Sequence, residues 1–233
     1  MDEKNLTVLT QEEFDYTVSH SISQVVRFAN KIVDIKNVYN RMYYVFIRCK
    51  IIGIKDEAKE LAFPSEFTFY SCEIVDYKNI STITCQFAYF ENCSFIEPVP
   101  LACPEKGEFI GWKKCFWASV DKFGNEIFPD QLKERCLVKL LIPANAKRSS
   151  AFTNKCRCNK AKVLEVYDSI TDKKLTGKFV VYSSRLDERY GKHLYYEKGK
   201  WVYPDSFDNN RYNECSNGIH FFMDKESARL WRL

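Results

Sequence analysis

Near the start of the chain apolar residues recur three and four apart, at Phe14, Val18, Ile22, Val25, Val26 and Ala29. That spacing draws one stripe and predicts an amphipathic helix over residues 11–30, packed on the chain's own core. Thr10 precedes Glu13 by three residues, a capping box, with Leu9 and Phe14 as its apolar staple. The period then changes. Residues 42–52 are rich in β-branched and aromatic side chains and hold no Gly or Pro, the pattern of a strand. Comparable runs at 67–75, 80–90, 109–118, 136–142, 161–168, 178–183, 193–203 and 218–223 predict more strands. At the far end Asp224 can cap a last helix, with Ala228 and Trp231 on one face. The expected class is β-rich α+β. An N-terminal helix and a β-rich segment occupy 1–100, and a compact basic domain over 101–233 ends in a helix.

Four triplets inside residues 48–96 share the form Cys-polar-apolar: Cys49-Lys50-Ile51, Cys72-Glu73-Ile74, Cys85-Gln86-Phe87 and Cys93-Ser94-Phe95. Three of them are 23 and 21 residues apart, about one coil of a four-sided β-solenoid. A small residue paired with a large apolar one resembles a degenerate pentapeptide-repeat segment. An antiparallel meander alternates in the same way, so both readings stand. Either places these cysteines inward.

The 233 residues include ten cysteines, and their net charge is +4. The polar start Met1-Asp2-Glu3-Lys4-Asn5 shows no secretory signal and no run is long enough to span a bilayer. The expectation is a cytoplasmic protein with reduced thiols. The charge is unevenly divided. Residues 1–100 carry 10 Lys and Arg against 14 Asp and Glu, and residues 101–233 carry 25 against 17, a net of −4 joined to +8. The second part is therefore where an anionic partner is expected.

Its richest segment, Ala144 to Lys162, holds no acid. Lys147, Arg148, Lys155, Arg157, Lys160 and Lys162 are interleaved with Ser149 and Ser150. Hydroxyls and backbone amides beside Arg suit a phosphate, so the segment reads as an anion-binding loop. His220 lies on the expected strand after the Asn217-Gly218 turn, facing away from Ile219 and Phe221, and joins the candidate set. Cys156, Cys158, Cys215 and His220 are ligand types suited to zinc, but Cys-x-Cys followed 57 residues later by Cys-x4-His is not a usual finger spacing. Trp112-Lys113-Lys114 suits either base stacking or an amphipathic strand with Trp112 in the core. No Walker loop, Rossmann fingerprint, HExxH or GxSxG motif occurs.

Several blocks follow in order: Gly111-Trp112-Lys113-Lys114, Val138 to Ala144, Lys147-Arg148-Ser149-Ser150, Lys155-Cys156-Arg157-Cys158 with Ala161 to Leu164, and Glu214 to Phe222. Together, over about residues 107–230, they resemble a domain of unknown function that follows pentapeptide repeats in bacterial, phage and giant-virus proteins. Gly218-Ile219-His220-Phe221-Phe222 also resembles the Gly-Ile-Tyr-Phe-Ala strand of ADP-ribosyltransferases, with His220 where that family has Tyr and no clear catalytic Glu. Two functions are expected from these features. The first is a non-enzymatic binding module for RNA or a nucleic-acid-bound protein, which the resemblance extends to a phage or viral inhibitor of a host-defence nucleoprotein, acting in the host cytoplasm. The alternative is a nucleotide- or NAD-handling enzyme, with Arg148 and Ser150 on phosphate and His220 at the base. No cofactor is otherwise expected.

Overall fold

The computed structural model describes residues 5–39, 41–55, 65–80, 88–123, 126–127, 135–183 and 194–231. The chain forms two compact units. The first contains residues 1–100 with 151–153 and 210–215, and the second contains 101–150, 154–209 and 216–233.

In the first unit β1 (Thr7–Leu9) and α1 (Gln11–Ser19) precede four pairs of short strands. These are β2 (Val25–Ala29) with β3 (Lys31–Ile35), β4 (Tyr43–Ile47) with β5 (Lys50–Ile54), β6 (Glu66–Tyr70) with β7 (Glu73–Ile74), and β8 (Ala88–Glu91) with β9 (Ser94–Phe95). Odd-numbered strands form one sheet and even-numbered strands β2 to β8 another. Every pairing among them is parallel, which excludes an antiparallel meander and stacks the chain as successive coils. Register then lines up like with like. Phe28, Phe46, Phe69 and Phe90 form one column with ring centroids 5.5, 5.4 and 4.9 Å apart. Leu9, Val33, Ile51, Ile74 and Phe95 form a second. Burying each such side chain contributes roughly 1.5–3 kcal/mol.

Between the two strands of each pair the chain turns a corner at a residue of positive φ: Asn30, Arg48, Ser71 and Asn92. Asn visits this region readily, whereas Arg and Ser do so at a cost. The stack holds them there. The backbone amide of Arg48 donates to Tyr70 O and that of Ser71 to Glu91 O, at 2.9 and 2.8 Å. Just past each corner the amide of Cys49 donates to Cys72 Sγ and that of Cys72 to Cys93 Sγ, both at 3.4 Å.

The last coil is closed by residues from later in the chain. Asn213 Oδ1 accepts from Phe90 N, and Asn210 Nδ2 donates to Phe90 O. Two side-chain amides thus occupy the hydrogen-bonding positions of a next strand, which protects the open edge of β8. Phe152 and Tyr212 pack against Phe95, and buried Glu214 accepts from the backbone amide of Thr153 at 3.0 Å.

Two expectations need correction here. The helix ends at Ser19, Ile22 is fully exposed, and Val25, Val26 and Ala29 belong to β2. β-Branched Val25 and Val26 gain more from parallel pairing with Tyr43 and Tyr44 than from a helix that restricts their rotamers. The capping box is half formed, because Thr10 Oγ1 accepts from Glu13 N while the Glu13 carboxylate pairs with Lys31. The α+β class is also wrong. The architecture is sheet, with α-helices only at Gln11–Ser19 and Lys225–Leu230 and a 3-10 turn at Tyr77–Asn79 among the described residues. The triplet Cys85-Gln86-Phe87 lies outside those residues.

The second unit is an antiparallel sheet. Its strands are β10 (Phe109–Val120), β11 (Glu126–Ile127), β12 (Arg135–Ile142), β13 (Arg148–Ser150), β14 (Lys155–Cys158), β15 (Ala161–Asp168), β16 (Phe179–Tyr182), β17 (Trp201–Val202) and β18 (Ile219–Phe222). The order is β13-β14-β18-β10-β12-β15-β17, with β11 and β16 also on β10. Cys115, Cys136, Val138, Leu140, Val163, Ile219 and Phe221 build its main core. Gly111 is required there, since a Cβ would fall 2.6 Å from the Phe221 ring. On the opposite face α2 (Lys225–Leu230), capped by Asp224 accepting from Ser227 N, buries Ala228 with Leu137 and Phe222.

Candidate anion-binding face

Residues directly opposite in an antiparallel pair share a face, and so do residues two apart on one strand. Trp112 stands opposite Phe222 and Lys139, Phe222 opposite Lys155, and His220 opposite Arg157. Further along the sheet, Ile110 faces Leu141, Leu141 faces Lys162, and Lys162 faces Trp201. The register therefore gathers Lys139, Lys155, Arg157, Lys162 and His220 on the side that also carries α2.

These groups differ in what they have left to offer a ligand. The expected loop from Ala144 is in fact a hairpin of β13 and β14, and all four residues of β14 are buried. Arg148 donates to the carbonyls of Pro104, Gly107, Pro143 and Ala144 at 2.9–3.1 Å and lies over the Phe109 ring. Its fork is spent on holding backbone. Arg157 is 2% exposed, donates to Asn217 O and Asp208 O, and stacks on Phe207. Gly218 beside it has φ +144° and leaves room for the Phe207 ring. Lys155 is buried with its ammonium 4.6 Å above Trp231. Ser150 Oγ accepts from Ala102 N, and buried Ser149 makes no side-chain hydrogen bond among the described residues.

His220 is placed on β18 facing away from the core of Ile219 and Phe221. Its Nε2 is buried without a hydrogen-bond partner among the described residues. Burial, followed by the nearby charges of Lys155, Lys113 and Arg157, holds its pKa well below the usual imidazole range. The ring is therefore neutral at physiological pH.

Cys156 and Cys158 face the main core opposite Phe221 and Ile219, whereas His220 points to the other side of the sheet. Cys215 is exposed and belongs to the first unit. The four do not form a zinc site, and among the described residues no three His, Cys, Asp or Glu side chains are grouped as a metal needs.

Three of the predicted lysines are not fully buried. Lys147 is exposed, with its ammonium donating to Asn209 Oδ1, and Lys160 and Lys162 are half-buried. Opposite Lys162 stands Trp201, which with nearby Tyr203 is overlooked by charge counting. Trp201 and Tyr203 are 45% and 58% exposed, while Val202 between them is buried. Their signal was the alternation at the end of the run 193–203. The residue opposite Lys139 is Glu165, which pairs with Lys198 and Lys174 and whose pKa their hydrogen bonds lower.

A family model described as a family of unknown function (DUF5758) matches residues 99–228. The chain belongs to this family. The DUF5758 match takes in every strand from β10 to β18, and with them the whole basic face. No curated protein and no solved structure matches the chain. Among the described residues no helix is long and apolar enough to cross a membrane.

Proposed function

We propose that the chain is a non-enzymatic binding module whose DUF5758 domain engages RNA, free or carried in a nucleoprotein. One observation carries the reading: half-buried Lys162 stands directly opposite exposed Trp201, with Lys160 and exposed Tyr203 close by along the two chains, in a part of the chain with a net charge of +8. Cations supply affinity for phosphate, and flat rings beside them suit bases. Arg148 and Arg157 support this face by fixing backbone, and neither is a contact in this reading. The first unit serves as a scaffold. Its Phe and Cys columns support placing it with degenerate pentapeptide-repeat solenoids, the setting that the family resemblance implies. That resemblance also supports a phage or viral protein acting on a host nucleoprotein. Binding of a labelled RNA to the full chain at increasing salt tests the proposal. A steep fall in affinity with salt supports it, and no binding at low salt removes it.

A further inference from the structure

Resting on that reading of the face, we infer that its occupant is a single strand of nucleic acid, with bases stacked on Trp201 and Tyr203 and phosphates on Lys160 and Lys162. The burial pattern exposed-buried-exposed over Trp201, Val202 and Tyr203 turns both rings to solvent and anchors the backbone between them. Residues two apart on a strand are separated by about 6.7 Å. That is about twice the ~3.4 Å rise of stacked bases, so one base fits between the two side chains.

The cations sit where the phosphates would run. Lys162 is directly opposite Trp201 and Ala161 opposite Val202, where the strand pair ends, with Lys160 and Tyr203 the next residues beyond it on the two chains. Trp201 therefore has a lysine directly across the strand pair from it, and Lys160 lies two positions before that lysine. A duplex offers its backbone to such lysines, but it cannot place paired bases on the rings without opening. Shape and charge together favour the unpaired strand.

The test is anisotropy titration of the full chain with a labelled single-stranded RNA and with its duplex. The single strand is expected to bind tighter than the duplex by roughly tenfold or more, the scale of one stacked base. Trp201→Ala with Tyr203→Ala should remove that preference and leave duplex affinity unchanged, while Trp201→Phe keeps it. Both rings are exposed, so folding is expected to survive, and a far-ultraviolet spectrum checks it. Equal binding of strand and duplex, unaffected by the aromatic changes but weakened by Lys160→Ala with Lys162→Ala, overturns the inference and leaves the anion-binding reading standing. No binding of either probe by the unmodified chain overturns both.

Discussion

Asn213 Oδ1 accepts a hydrogen bond from the backbone amide of Phe90 at 2.8 Å, across 123 residues of sequence. The first unit is therefore incomplete as residues 1–100 alone, because its last coil borrows a cap from a segment that follows the basic hairpin. Asn213 is buried, so removing its amide leaves the Phe90 N–H buried without a partner. Asn213→Ala is expected to destabilise the unit by about 1–3 kcal/mol, read as a lower urea midpoint of the full chain. An unchanged midpoint contradicts the cap.

The aromatic column makes a second, larger prediction. Phe69 is fully buried between Phe46 and Phe90. Truncation opens a cavity that neighbours locked in register cannot collapse into, so Phe69→Ala should cost about 3–5 kcal/mol. Phe69→Leu should cost much less, since it keeps most of the volume. Equal losses for the two would argue against a tightly stacked column.

Arg157 separates structural from binding roles. Its guanidinium joins Asp208 O, Asn217 O and the Phe207 ring, a planar geometry that Lys cannot copy. Arg157→Ala and Arg157→Lys are both expected to lower thermal stability, the former more. Lys160→Ala should leave stability within about 0.5 kcal/mol. Loss of RNA binding in an Arg157 variant is consequently no evidence of contact, whereas the same loss in a stable Lys160 variant is.

Much of the sheet was legible because its strands obey local rules. The run 109–118 shows in its β-branched and aromatic composition, and the end of the chain in the Asn217-Gly218 turn and Asp224 as a cap, since these signals depend only on neighbouring residues. The coils were less legible. A corner at Arg48 or Ser71 has no Gly to announce it, because the strained φ is held by hydrogen bonds to residues about twenty positions on. The run 42–52 therefore looked like one strand where there are two. Helical spacing over Val25 and Val26 was overridden by pairing with β4, which is likewise non-local. At the site, charge counting points to residues 101–233 but misjudges the hairpin, whose strand β14 is buried. A cation in a sequence looks the same whether it faces water or, like Arg148, gathers carbonyls. Trp201 was passed over because exposure is a tertiary property.

His220 predicts a pH dependence. Its folded pKa lies below the unfolded value of about 6.5, owing first to burial and then to Lys155, Lys113 and Arg157. At lower pH the unfolded chain takes up a proton that the folded chain refuses. Its contribution to stability is therefore full above about pH 6.5 and falls as pH drops, by up to about 1.4 kcal/mol per unit. His220→Asn should flatten this slope between about pH 6.5 and 5. Parallel unfolding curves for the two proteins across that range would contradict a buried neutral imidazole.

The central claim is that the DUF5758 domain binds RNA through the Lys160, Lys162 and Trp201 face. The most direct test is the salt dependence of RNA affinity for the unmodified chain beside its Lys160→Ala, Lys162→Ala double variant. Each lost phosphate contact to a single strand lowers the slope of log affinity against log salt by about 0.7. The account predicts weaker binding at low salt and a slope shallower by about 1.4. Identical affinity and slope in the two proteins would contradict it.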